Sequence, residues 1–272
     1  MSNASVDVGA KVAVVTGAAR GIGRAVGALL VERGYAVVLT DLSAEEVRRT
    51  AREIGAVAGV AQDVRLEESH AAVVAEATTY GRLAVWVNNA GVGDDGALTE
   101  LSSEAVRRLV EVNLLGVIWG TRAALGAFGP GGGDVVNIAS VSALGPVPGL
   151  SVYAATKAAV LSLSMSLAGE TPAGVRVHAV CPDGVDTDLV AAMRPDGRAK
   201  AMVHSSGRLR TTAEVAAVAV DLVGRRRVVR TLPAWRSPLV RAGALIPSRS
   251  RTGFALFEAM GRRVMERSRR DA

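Results

Sequence analysis

Lys11-Val12-Ala13-Val14-Val15-Thr16 runs straight into Gly17-Ala18-Ala19-Arg20-Gly21-Ile22-Gly23, and the reading of these thirteen residues decides the fold. Six residues with an apolar centre suit a strand buried on both faces, as in a parallel sheet. The glycines then let the backbone turn tightly. The apolar positions that follow, Val26, Leu29 and Leu30, continue at helical spacing to a stop at Gly34. Strand, glycine turn and helix in that order form the first half of a βαβ unit, whose helix N-terminus can receive a pyrophosphate. The spacing G-x-x-x-G-x-G departs from the common G-x-G-x-x-G, so the motif alone is weak.

Working outward, the same alternation recurs. A second strand, Ala36 to Thr40, ends at Asp41-Leu42, where a carboxylate can accept hydrogen bonds from an adenosine ribose and repel a 2′-phosphate. Ribose binding is the favoured reading of Asp41, with a cap for the helix Ala44 to Ile54 as the alternative. Arg20 pulls toward a 2′-phosphate, so NAD is favoured over NADP without closing the question. A third strand, Ala56 to Ala61, leads to Asp63-Val64, an adenine clamp or a helix cap ahead of Leu66. A fourth, Leu83 to Val87, runs into Asn88-Asn89-Ala90-Gly91, small and polar where ligands bind at strand ends. A long helix from Ser102 or Ser103 to Ala127 carries Asn113 among Val112, Leu114 and Leu115, an amide that must find partners.

Chemistry enters with Tyr153-Ala154-Ala155-Thr156-Lys157 and with Ser140 upstream. On a helix, a spacing of four puts the Tyr153 phenol and the Lys157 ammonium on one face. The ammonium is expected to favour the phenolate and bring a poor acid/base into working range, with Ser140 holding the substrate oxygen. Only three of the 32 basic residues are lysines (Lys11, Lys157 and Lys200), so a compact ammonium at 157 stands out in a chain that otherwise uses Arg.

Taken together, Thr16-Gly17-x-x-x-Gly21-Ile22-Gly23, Asn88-Asn89-Ala90-Gly91, Asn113, Ser140, Tyr153-x-x-x-Lys157 and Pro182 to Thr187 resemble the short-chain dehydrogenase/reductase family. The resemblance spans residues 11 to about 222 and implies a Rossmann-type, doubly wound parallel sheet of about seven strands with helices on both faces. It implies Tyr153 as general acid/base, Ser140 orienting the substrate, Lys157 on the nicotinamide ribose, and Asn113 holding a water in a proton relay. Gly17, Arg20, Gly21, Ile22, Gly23, Asp41, Leu42, Asp63, Val64, Asn89, Ala90, Gly91, Pro182, Val185 and Thr187 would hold the nucleotide with Tyr153 and Lys157. It also implies a homo-oligomer, a dimer or tetramer built on the helices of Asn113 and Tyr153. Two features depart from the family: Asp183 replaces the usual glycine after Pro182, and the final strand, read as Val228 to Leu232, is not glycine-rich.

Three segments are expected: a disordered 1–10, a catalytic domain over 11–223, and an Arg-rich extension over 224–272. The extension holds 13 Arg against three acids, a charge of +10, whereas residues 1–223 carry −4. Phe254, Phe257, Met260 and Val264 recur there at helical spacing among arginines. Packing on the protein's own core or in an oligomer is the favoured reading, with peripheral contact to an anionic membrane as a second. No aromatic platform accompanies the charge, which argues against nucleic acid.

A single cysteine, Cys181, excludes an internal disulfide and fits a reducing cytoplasm; no metal site is expected. The first ten residues lack a signal peptide's features, and prolines and polar residues interrupt the uncharged run Val135 to Thr156, which reads as strand, loop and helix start. The predicted lining, Val141, Ala143, Leu144, Val147, Leu150 and Leu189 to Met193, is apolar. The expected activity is therefore hydride transfer between NAD and a hydrophobic secondary alcohol or ketone. The alternatives are an NADP-dependent reductase of 3-oxoacyl thioesters or other carbonyls, and a cofactor-binding sensor or scaffold acting through the tail.

Overall fold

The computed structural model describes residues 9–245 and 250–270, with the side chains of 250–252 and 269 left aside. Seven parallel strands lie in the order β3-β2-β1-β4-β5-β6-β7: β1 (Lys11–Thr16), β2 (Ala36–Asp41), β3 (Ala58–Ala61), β4 (Arg82–Asn88), β5 (Gly133–Ile138), β6 (Val175–Pro182) and β7 (Val229–Leu232). The chain starts in the centre, builds outward to β3, then returns and builds the other way from β4. The reversal between β1 and β4 leaves a crevice at the strands' carboxyl ends, where ligands of such sheets bind.

Side-chain alternation explains the layering. In β1, Ala13 and Val15 join a core with Val26 and Leu30 of α1 (Gly21–Glu32), Val47 of α2 (Ala44–Ile54) and Val215 of α9 (Thr212–Leu222). Val12 and Val14 face the other way, onto Val73 of α3 (Glu67–Thr78) and Ala124 of α5 (Gly116–Ala127). A strand buried on both faces must be apolar or have its polar groups bonded: the central four positions of β2 are all buried, three of them apolar and the fourth, Thr40, donating to Gln62.

The predicted long helix is present, but with a defect. α4 (Ser103–Val110) and α5 are joined by a π turn over Glu111–Leu115, and Asn113, fully buried, sits in it. Such bulges re-aim side chains inside otherwise regular helices. Ser102 is the N-cap, accepting from the Ala105 N–H. The run 135–156 resolves into β5, a loop and the start of α6 (Ser151–Glu170), as its sequence suggested.

Several boundaries shift. β3 begins at Ala58 rather than Ala56, because Ala56 and Val57 are taken by turn bonds to Ala51 and Val37. The expected disordered segment 1–10 lies mostly outside the described residues, but its last member is tied down, the Ala10 carbonyl accepting from the Arg82 N–H. β7 lies beyond residue 224 and pairs with β6, so the sheet is completed by residues of the extension. The rest of the extension forms α10 (Arg236–Ala244) and α11 (Ser250–Arg270). α11 packs on α8 (Arg198–Val203), where Gly261 is buried so close to the Ala201 carbonyl that a Cβ would strike it. That close approach is what lets the tail lie on the core.

Candidate active site

One cavity of about 720 Å³ runs along the carboxyl ends of the strands. At its nucleotide end the glycine turn is held from below. The Thr16 hydroxyl accepts from the Asn89 and Ala90 N–H groups, each at 3.1 Å, and the Asn89 amide donates to the Thr16 and Gly17 carbonyls at 3.0 and 2.8 Å. This closeness explains two glycines. Gly17 has φ +62° and a Cβ there would lie 2.6 Å from Ala90 Cα; at Gly23 a Cβ would strike the Gly17 carbonyl. Gly21, at φ +60°, has nothing above it and leaves the helix N-terminus open to the cavity.

Asp41 ends β2 on the cavity wall, its carboxylate accepting from the Ala19 and Leu42 N–H groups at 3.0 and 2.8 Å. It is not a helix cap; Ser43 has that task, accepting from Glu46 N–H. Arg20, the residue expected to draw a 2′-phosphate, instead reaches Asp188 at 2.9 Å. Asp63 forks with Arg65, whose guanidinium holds the Asp63 carboxyl below its usual range. Ile22, Leu42, Val64, Ala90, Gly91, Pro182, Val185 and Thr187 also line the cavity, whereas Gly23 stays behind it. Gln62 was missed. It is buried at the wall between the Thr40 hydroxyl, which donates to it at 2.6 Å, and the His70 ring, and a lone glutamine after a strand carries no spacing signal.

At the other end, α6 brings Tyr153 and Lys157 to the wall beside Ser140, which caps a short 3-10 turn over Val141–Ala143. The Lys157 ammonium, 4% exposed, donates to the Ile138 carbonyl at 2.9 Å and lies 5.8 Å from the centre of the Tyr153 ring. Burial drives the two groups apart from their charged forms: the phenol rises to about 12, opposed only by the Ser140 hydroxyl, and the ammonium falls to about 8. The expected lowering of the Tyr153 pKa by Lys157 is therefore not a property of the chain by itself. Burial raises the phenol, and the group that opposes the rise is the Ser140 hydroxyl, not Lys157.

Asn113 does not line the cavity. Its amide accepts from the Val92 N–H at 2.8 Å and donates to the Val92 carbonyl at 2.9 Å, so these two bonds fasten the segment behind the site and do not by themselves hold a water. Gly91 lies between: a Cβ there would sit 3.3 Å from Asn113 Oδ1 and 3.7 Å from Lys157 Nζ. Behind this layer a buried polar network was not foreseen. Asn88 donates to the Thr121 hydroxyl at 3.0 Å and to Asn137 Oδ1 at 2.8 Å, Trp86 donates to Asn88, and Asn137 donates to the Ser164 hydroxyl. It fixes β4 and β5 against the helices that carry the site, with every member satisfied.

The apolar end agrees with expectation at Val141, Val147, Leu150, Leu189, Val190 and Met193. Ala143 and Leu144 face the core with Val160 and Cys181 instead, and Ala191 and Ala192 stay off the wall. Their places are taken by the extension: Leu239, Val240 and Ala244 of α10 and Phe254 and Phe257 of α11 line the cavity. Asp183, in the loop after β6, also lines the cavity. It is buried, 2.7 Å from Nε of the equally buried Arg236 at the start of α10.

The family model for short chain dehydrogenase matches residues 11–198. The chain belongs to the short-chain dehydrogenase/reductase family. Within it, a cis-4-hydroxycyclohexanecarboxylate dehydrogenase of Sinomonas cyclohexanicum is 42% identical over 214 residues, 76% of this chain and 86% of that protein. A cyclohexanol dehydrogenase of an Acinetobacter species is 35% identical over 221 residues, 78% and 87% of the two chains. Among solved structures, a short-chain dehydrogenase/reductase from Burkholderia phymatum in complex with NAD superposes with a TM-score of 0.76 at 29% identity, covering 88% of this chain and 93% of that one. A variant of actinorhodin polyketide ketoreductase with NADPH gives 0.76 at 31%, covering 84% and 97%. This short-chain dehydrogenase/reductase is accordingly an oxidoreductase of CH–OH groups that uses a nicotinamide dinucleotide.

Proposed function

We propose that this enzyme oxidises hydrophobic secondary alcohols, alicyclic ring alcohols foremost, with NAD. The observation that carries the reading is the meeting of Ser140, Tyr153 and Lys157 at one end of a cavity whose other end is the glycine turn. Held along that groove, the cofactor supplies the hydride acceptor. The glycine cradle, which any side chain at position 17 would fill, fits such a nucleotide. Tyr153 takes the proton from the substrate hydroxyl, Ser140 donates to the same oxygen and lowers the phenol pKa against burial, and Lys157 would hold the nicotinamide ribose.

NAD is supported by Asp41, whose carboxylate lies on the cavity wall, and by the pairing of Arg20 with Asp188, which engages the cation that a 2′-phosphate would need. Ring alcohols are supported by the apolar far wall and by relatives whose names place them on cyclohexanol and hydroxycyclohexanecarboxylate. The test is a fluorescence titration with NADH and NADPH, followed by turnover of cyclohexanol. NADH should bind at least tenfold tighter, about 1.4 kcal/mol. Tyr153→Phe should abolish turnover and keep that binding. Tighter NADPH would mean that Arg20 leaves Asp188, favouring the carbonyl-reductase reading, and a biological role surviving Tyr153→Phe would favour a sensor or scaffold.

A further inference from the structure

The reading of this site as a ring-alcohol dehydrogenase leaves open whether the ring bears a charge, and the Asp183–Arg236 pair bears on that. Asp183 follows the last residue of β6, at the loop that carries Val185 and Thr187, and stands where the family usually has glycine. Its Oδ1 accepts from the Gly184 N–H at 3.0 Å and its Oδ2 meets Arg236 Nε at 2.7 Å. Arg236 Nη2 donates to the Ser205 hydroxyl at 2.8 Å, and its guanidinium lies 5.2 Å from the centre of the Phe257 ring. Both side chains are at most 7% exposed, and both line the cavity.

Their position is the substrate end. One turn on from Arg236, Val240 packs against Gly145, in the loop that follows Ser140, and Leu239 and Phe257 complete an apolar wall. Elsewhere on the cavity wall Arg20 pairs with Asp188 and Arg108 with Asp94. A buried unit charge next to such a wall would act strongly on a charged ligand, because little water intervenes to screen it. Paired as they are, the two charges cancel. A substrate carboxylate entering beside Arg236 would lose its hydration and gain no net positive charge from this pair, with only the Lys157 ammonium beside Tyr153 left to face it.

We propose that Asp183 is a specificity-determining residue, acting as a charge filter: by neutralising Arg236 it reserves the far end of the cavity for uncharged ring alcohols and excludes carboxylate-bearing ones. This rests on the functional reading above; the named substrate of the 42% identical relative does carry a carboxylate.

The test compares affinities of cyclohexanol and cyclohexanecarboxylate for the full-length enzyme–NADH complex, read by NADH fluorescence. A ratio of two affinities on one preparation is insensitive to the fraction of folded protein. The wild type should favour the alcohol at least tenfold. Asp183→Asn, which leaves the Arg236 charge uncompensated, should move the ratio tenfold or more toward the carboxylate. Arg236→Gln should move it the opposite way, and the double variant, neutral again, should return to within about threefold of the wild type. Ratios that stay put, or a wild type that favours the carboxylate, overturn the filter. Turnover of cyclohexanol and cis-4-hydroxycyclohexanecarboxylate is measured alongside. If neither is oxidised while the affinity ratios move as stated, the alcohol-oxidising reading fails and the filter stands.

Discussion

Lys157 is held in a place that opposes its own charge. Its ammonium is buried against the Ile138 carbonyl, and burial lowers its pKa from 10.5 to about 8. Because the folded value lies below the unfolded one, the cost to folding is full below pH 8 and is relieved as pH rises from 8 toward 10.5. That cost is on the order of 3 kcal/mol. Lys157→Met removes it and strands the Ile138 carbonyl, a loss of roughly 1–3 kcal/mol. The expected outcome is a variant without measurable alcohol oxidation that is at least as stable as the wild type at pH 7, and whose thermal midpoint no longer gains on the neutral-pH value between pH 8 and 10. Thermal melts across that range, beside an activity assay, check it. Tyr153, Lys157, Ser140, Asp41 and the glycines were legible in the sequence because each stands at a fixed offset in an ordered motif, with Tyr and Lys scarce besides. The direction of the Tyr153 and Lys157 shifts was not, because spacing reports a neighbour's charge and says nothing of desolvation. The pairing of Arg20 with Asp188 was not legible for a related reason: the two are 168 positions apart and only the fold brings them together.

Among the elements, the outer half of the sheet depends on one carboxylate. Asp134, near the start of β5, accepts from Arg176 and His178 of β6 and from the Gly224 N–H, which leads into β7, while His178 Nδ1 meets the Arg227 carbonyl. Burial alone would raise the Asp134 pKa; bonds from His178, Arg176 and the Gly224 N–H outweigh it and bring it to about 2. A folded value below the unfolded 3.8 means stability that is present above pH 3.8 and lost as pH falls through 2, on the order of 2 kcal/mol. Asp134→Asn should therefore destabilise the protein by roughly 2–3 kcal/mol at pH 7. Denaturant unfolding should show the difference from wild type shrinking below pH 4. Strand and helix types were readable here from apolar runs and caps, since β6 is mostly Val, Ala and Cys facing a core, with the buried His178 among them. The π turn at Glu111–Leu115 was not. Nothing in local propensity distinguishes it from the helix on either side; its mark is a tertiary contact, Asn113 bonded to Val92.

At the scale of the whole molecule, the glycine-turn end of the cavity comes mainly from the first 100 residues, and α10 and α11 close the apolar end. The extension looked like an appendage in sequence because its charge, +10 against −4 for the remainder, dominates its composition. Its function in the fold is carried by the minority of apolar and small residues. Gly261 lets α11 lie on the Ala201 backbone, Arg198 pairs with Glu258 at 2.8 Å, and Phe254 and Phe257 thereby reach the cavity. A wedge at the contact point separates the two halves. Gly261→Val places branched carbons where not even a Cβ fits, so α11 must lift from α8. The glycine turn, Asp41 and Asn89 lie at the opposite end and keep their bonds. NADH affinity should thus stay within about threefold of wild type, while the KM for cyclohexanol rises tenfold or more, about 1.4 kcal/mol of lost substrate contact. If NADH affinity falls by the same factor, α11 is holding the whole domain together and not the substrate wall alone. If neither constant moves, Phe254 and Phe257 do not meet the substrate.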